Sequence, residues 1–241
     1  MNFAGDWELS KELVMEYKAY LYSGGYAASS VNSMLAALNS LLSLQNRNDY
    51  RVTNLRNQRQ QFSAESSVLS KEEYLRLIAA AKGQVQLRLV IQTICATGIR
   101  VSELQYFTVA AVENRNVCVC CKDKLRNVLL PEKLRGYLLD YASENGIDAE
   151  PIFVTRWGKL LDRSNIWSQM KRLCQKAGVD SRKVYPHNLR KLFARTFHEK
   201  DHDICKLSDI LVHESIETTR IYIKDTGAQH SRMLESLGLI P

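Results

Sequence analysis

From residue 27 to 45 the chain reads AASSVNSMLAALNSLLSLQ, and Val31, Met34, Leu35, Leu38, Leu41 and Leu42 stand at i, i+3, i+4, i+7, i+10 and i+11. Only a helix gathers that spacing onto one face. Ser29 or Ser30 is a suitable cap for it. A segment from about Ser10 to Tyr22 is helical in pattern too, and SGGY separates the two. The same period returns later. Ser70 and Glu73 form a capping box ahead of LRLIAAAK, an apolar helix ends at Gly98, and helical patterns follow at roughly 131–144, 163–177, 187–199, 204–211, 215–224 and 228–236. NVCVCC and LRNVLL depart from it, as two short β-rich runs joined by a polar turn at Lys122 to Lys124. The expected fold is therefore mainly α with one small antiparallel sheet. It divides into a small helical part, residues 1–61, and a larger α-rich part, residues 62–241. Near the junction, Arg47, Arg51, Arg56 and Arg59 face a single Asp49, the composition of a basic connector.

Charge adds a direction. Lys and Arg exceed Asp and Glu by 7, of which only +1 falls in residues 1–61 and +6 in residues 62–241. An acidic partner such as nucleic acid fits that excess, with the phosphate-facing surface concentrated in the larger part. The six cysteines lack partners at zinc spacing and read as reduced thiols. The N-terminus is acidic without an apolar leader, and no apolar run approaches membrane-spanning length. A soluble, cytoplasmic protein with no metal is expected.

Three motifs carry chemistry, besides the lysines of the hairpin turn. In ATGIRVSELQ, Arg100 follows a glycine break and precedes Glu103 by three residues. That spacing suits a structural ion pair, and a guanidinium fork suits a phosphate; both readings stand at this point. In YPHNLRKLFARTF, Pro186 can open a helix whose N-terminus carries His187 and Arg190 on one face, where exposed N–H groups already favour an anion. LSDILVHESIETTRIYI has His213 after an apolar run and Tyr222 nine residues later.

Taken in order, A-T-G-I-R, a lysine in a hairpin turn, H-x-x-R, and L-x-H with a tyrosine nine positions on resemble the tyrosine recombinase, or phage integrase, family, and within it the Xer-like members. The match runs from about residue 65 to 225. The resemblance implies a two-domain DNA clamp with a helical DNA-clamping part and a catalytic part. It implies that Tyr222 is the nucleophile, that Arg100, Arg190 and His213 surround the scissile phosphate, that Lys122 is the hairpin lysine and that His187 is the remaining basic member. Glu103 then orients Arg100. DNA contacts fall to Arg47, Arg51, Arg56, Arg59, Lys124 and Lys191. The family also implies a 3′-phosphotyrosyl intermediate needing no cofactor, and a homotetramer on paired sites in double-stranded DNA from a protein monomeric in solution. The chain differs from the usual pattern at Val212, where glycine is common, at Glu214, at Lys191, where histidine is common, and in a short N-terminal part. Two rivals are weighed: a type IB topoisomerase-like relaxase, and a catalytically silent DNA-binding accessory protein.

The chemistry accounts for these residue types. The five-coordinate transition state of phosphoryl transfer concentrates charge on the non-bridging oxygens, and preorganised donors there contribute about 3 to 4 kcal/mol per group in other enzymes. A phenol titrates near 10, so it needs a base or a strongly positive neighbourhood to attack. The departing 5′ oxygen needs a proton, which a lysine can give.

Overall fold

The computed structural model describes residues 9–55, 68–121, 124–148, 151–212 and 215–223. They belong to two compact units, Met1–Gln60 and Gln61–Pro241. In the first, α1 (Lys11–Ser23) starts at Ser10, whose hydroxyl accepts the Leu13 N–H at 3.2 Å. In α2 (Ala28–Leu44) the helical stripe buries Val31, Leu35 and Leu42, while Met34 and Leu41 stay exposed. The expected serine cap is not used. Ala27 is the N-cap, without a side-chain bond, so Ser29 and Ser30 fall inside the first turn. Ala28 is a strong helix former, and it draws the start of the helix back past both serines.

The basic stretch after α2 is no free connector as far as Leu55. The Asn39 amide donates to the Val52 carbonyl at 2.8 Å and accepts the Val52 N–H at 3.1 Å. Asn32 treats Leu55 the same way, at 3.1 and 2.7 Å. Each asparagine side chain thus satisfies one residue's backbone at both ends, as a neighbouring strand would. Val52 and Leu55 then pack on Leu21, Val31 and Leu35. Arg47 lies over the Tyr50 ring at 5.4 Å, and Arg51 is exposed. Arg56 and Arg59 lie outside the described residues.

The second unit runs α3 (Lys71–Ala80), α4 (Val85–Thr97), α5 (Val109–Glu113), β1 (Val117–Cys121), β2 (Lys124–Val128), α6 (Glu132–Glu144), α7 (Arg163–Ala177), α8 (Pro186–Asp201), α9 (Ile204–Leu211) and α10 (Ile216–Tyr222). The capping box forms at α3, with Ser70 and Glu73 exchanging bonds of 3.1 and 2.9 Å. β1 and β2 make an antiparallel hairpin, from Val117 opposite Val128 to Cys121 opposite Lys124. Helix α4 packs against α3, α6, α7 and α8, and it buries Leu87, Leu89, Val90, Ile91 and Ile94. A helix apolar on so many sides belongs at the centre of a core. A second cluster joins Ala194, Leu207, Leu211 and Tyr222 with Phe193 and Phe197. Among the described residues, no helix is long and apolar enough to cross a membrane.

Candidate active site

Helix α4 stops at Gly98, whose φ of 65° is left-handed. A side chain there would place its Cβ 2.5 Å from the Phe193 ring and 2.8 Å from Leu211, so glycine is required both by conformation and by space. The chain turns through Ile99, which is fully buried, into Arg100, whose extended backbone opens a 3₁₀ turn at Val101–Tyr106. Glu103, on that turn, reaches back. Its carboxylate accepts the Arg100 backbone N–H at 2.8 Å and Arg100 Nη1 at 3.1 Å. The ion pair expected from sequence is present, and it leaves Arg100 lining a cleft with its side chain 37% exposed.

Pro186 opens α8 at its first turn, as its fixed φ and missing N–H favour. Arg190, one turn in, is the largest fully buried side chain of the described residues. It donates through Nη1 to the Gly98 carbonyl and through Nη2 to the Leu211 carbonyl at 2.8 Å. Burial, then the neighbouring Arg100, lower its pKa to about 10, so it remains charged at neutral pH.

Tyr222 ends α10 with its ring in the smaller apolar cluster, 8% exposed. Its hydroxyl is 3.4 Å from His187 Nδ1, and the two rings meet edge to face at 4.9 Å between centroids. The Arg190 guanidinium stands 5.9 Å from the centre of the tyrosine ring. Desolvation, followed by the charges of Lys191, Arg190, Arg100 and Arg163, lowers the His187 pKa below the usual imidazole value. At neutral pH that ring is therefore a neutral base beside a phenol.

Arg100, His187, Arg190 and Tyr222 line one cleft of about 550 Å³. Lys191 is half-buried and is not among its lining residues; burial and Arg195 lower its pKa. Lys124 is the first residue of β2, paired in register with Cys121. Lys122, His213 and Glu214 lie outside the described residues, as does the segment 228–236 expected to be helical. Val212 caps the C-terminus of α9 with φ 47° and ψ 58°, the left-handed region that a β-branched residue rarely enters.

Two cations at this site went unread in the sequence. Arg163, the first residue of α7, lines the cleft. Arg126, on β2, lies behind it, bonded to Glu103 at 2.6 Å. Arg163 follows the Asp162 cap, and a basic residue beside a helix start was the available signal. For Arg126 the only signal was an arginine inside a run otherwise read as strand.

Residues 67–229 match the model of the phage integrase family. The chain is 27% identical to tyrosine recombinase XerA of Pyrococcus furiosus over 234 residues, which cover 94% of this chain and 80% of that protein. Its fold is similar to the crystal structure of XerA recombinase, with a TM-score of 0.63 at 25% identity, over 98% of this chain and 86% of the other. It is similar also to the Tn1549 transposon integrase in complex with transposon right end DNA, with a TM-score of 0.72 at 14% identity, over 97% and 86%. At that identity the second likeness is one of fold.

Proposed function

This chain belongs to the phage integrase family and is a tyrosine site-specific recombinase, and we propose that it cuts and rejoins double-stranded DNA through a 3′-phosphotyrosyl link to Tyr222, with neither metal nor ATP. The Tyr222 oxygen attacks the scissile phosphorus as its proton passes to His187. The bond from phosphorus to the 5′ oxygen breaks, and that oxygen leaves with a proton from Lys122. Arg100, Arg190 and His213 hold the non-bridging oxygens through the five-coordinate state. Attack by a 5′ hydroxyl of a partner strand reverses the step. One phosphoester replaces another each time, so no outside energy source is needed.

The observation that carries this reading is the 3.4 Å approach of the Tyr222 hydroxyl to His187 Nδ1, in a cleft also lined by Arg100 and Arg190. A contact of that length is loose for a hydrogen bond, and such bonds tighten when substrate completes the site. The cations the transition state requires are side chains, which supports a reaction without metal.

Residues 62–241 are the catalytic part in this reading, and residues 1–61 the DNA-clamping part; Arg47, Arg51, Arg56 and Arg59 in the second of these, and Lys124 and Lys191 in the first, contact phosphates. The protein acts as a homotetramer on paired sites. The test is covalent capture on fragmented DNA of the source organism, followed by sequencing of what is attached. Wild type should yield an adduct at discrete sites, and Tyr222→Phe should bind the same DNA within a few-fold and yield none. Adduct from the Phe variant would overturn the nucleophile.

A further inference from the structure

We infer that Arg126 is a positioning residue for DNA cleavage, returning to the site the positive charge that Glu103 subtracts and fixing the turn that leads to His213. The inference rests on the reaction proposed above. Arg126 sits on β2 opposite Val119, which is fully buried, and its own side chain is only 7% exposed. A charge so placed must be paired and hydrogen-bonded to be tolerated. Nη2 meets Glu103 Oε2 at 2.6 Å, and Nη1 donates to the Ile210 carbonyl at 2.7 Å.

Each bond has a consequence for the cleft. Glu103 is 3% exposed and already holds Arg100 through backbone and side chain. Alone, that pair would be neutral, a weak receptor for phosphate. With Arg126 the three groups carry one net positive charge, and the carboxylate stays ionised: burial opposes ionisation, but the Arg100 N–H and the Arg126 charge outweigh it and hold the pKa below the usual range. The second bond is to α9. Ile210 and Leu211 are its last two residues, whose carbonyls have no partner inside the helix. Arg126 takes the first and Arg190 the second. Displacing one arginine therefore disturbs the anchor of the other, and the chain from that turn continues into His213. In sequence Arg126 is also two residues from Lys124 and four from Lys122.

The experiment measures single-turnover cleavage of a nicked duplex built on a site captured by the wild-type protein. Wild type, Arg126→Met and Arg126→Lys are compared on two substrates. One is an ordinary phosphodiester; in the other a methyl group replaces a non-bridging oxygen, which removes the charge at the scissile phosphorus. Arg126→Met should slow the phosphodiester by about 10- to 100-fold, the range over which outer-shell partners move a site, with much less effect on the uncharged substrate. Arg126→Lys keeps the charge but cannot span Glu103 and Ile210 together, so it should fall between. Equal slowing on both substrates would make Arg126 a part of the fold alone and overturn the inference, as would wild-type rates in both variants. If Arg126→Met does not fold, Arg126→Gln, which also removes the charge but keeps a polar head, takes its place, and the ratio of its two rates decides in the same way. Failure of the positioning role leaves the wild-type adduct intact, whereas absence of any wild-type adduct overturns the proposed reaction and this role together.

Discussion

Arg190 and Arg100 line the same cleft, yet opposite chemistry holds them. Arg190 is buried on α8 and gripped by two carbonyls, those of Gly98 and Leu211. Arg100 is partly exposed and held by a carboxylate, that of Glu103. Carbonyls carry no net charge, so these two bonds orient Arg190 without neutralising it, and burial lowers its pKa to about 10. A carboxylate holds Arg100 instead, and that carboxylate is shared with Arg126 behind it. Two guanidiniums at one cleft are thus oriented by different partners, one by backbone carbonyls deep in the core and the other by a carboxylate nearer the surface.

The largest expected effect tests that contrast. Lysine carries the charge of either arginine but not its fork. Arg190→Lys loses one of two diverging carbonyl bonds inside the core, leaving a buried acceptor unsatisfied. Cleavage should fall about 100- to 1000-fold, and the melting temperature of the second unit should fall with it. Arg100→Lys should also cut cleavage strongly, but with a stability change of about 1 kcal/mol or less, because a partly exposed ion pair contributes little to folding. Single-turnover cleavage and thermal melts of both variants provide the check. Equal destabilisation by the two substitutions would erase the distinction between Arg190 and Arg100.

Helices α7 and α9 were legible because each spans two turns or more of an apolar period. The pattern at 163–177 coincides with α7, and that at 204–211 with α9. Helix α5, at Val109–Glu113, was not read, since five residues span too little of a helical period to be distinguished from a loop. Motif order named Arg100, His187, Arg190 and Tyr222, and the fold gathers these four at one cleft. Arg126 left only a weak local trace, a charge inside a strand run. Its partners are 23 and 84 residues away, and an arginine in a short strand reads as the solvent-facing half of an alternation until the partner carboxylate is placed beneath it. The Arg47 to Leu55 stretch misled for a similar reason: the asparagines that tie it down sit on α2, where they look like ordinary surface residues.

A mid-sized effect should appear in the pH profile. His187 acts as base only when neutral, and its pKa is lowered, first by desolvation and then by Lys191, Arg190, Arg100 and Arg163. Activity is therefore present above that lowered value and lost as pH falls through it, so the acid limb of wild-type cleavage should lie below 6.5. Lys191→Gln removes the foremost of these charges and should move the limb upward without abolishing cleavage. Single-turnover rates across pH 5 to 8 measure both, and a limb at or above 6.5 in wild type would remove His187 from the base role.

The smallest effect concerns the turn that Arg126 and Arg190 share. Its carbonyls at Ile210 and Leu211 anchor Arg126 and Arg190, and the residue that closes it, Val212, adopts φ 47°. Among the described residues, Asn46, Arg115 and His202 also have positive φ without being glycine, but only Val212 is β-branched. The left-handed conformation costs an L-residue about 1 to 2 kcal/mol, and crowding at Cβ favours the upper part of that range. Val212→Gly removes this cost but adds back about 0.4 to 1 kcal/mol of unfolded-chain entropy. A net gain of about 0.5 to 1 kcal/mol should remain, seen as a rise in melting temperature of roughly 1 to 4 °C for a unit of this size. Because the carbonyls keep their directions, cleavage should hold at the wild-type rate. A lower melting temperature would show that packing by the half-buried valine methyls outweighs the backbone strain. Slower cleavage at raised stability would instead mean that the stiffness of Val212 holds the two arginine anchors in line, which would couple Arg126 and Arg190 more tightly than their separate bonds suggest.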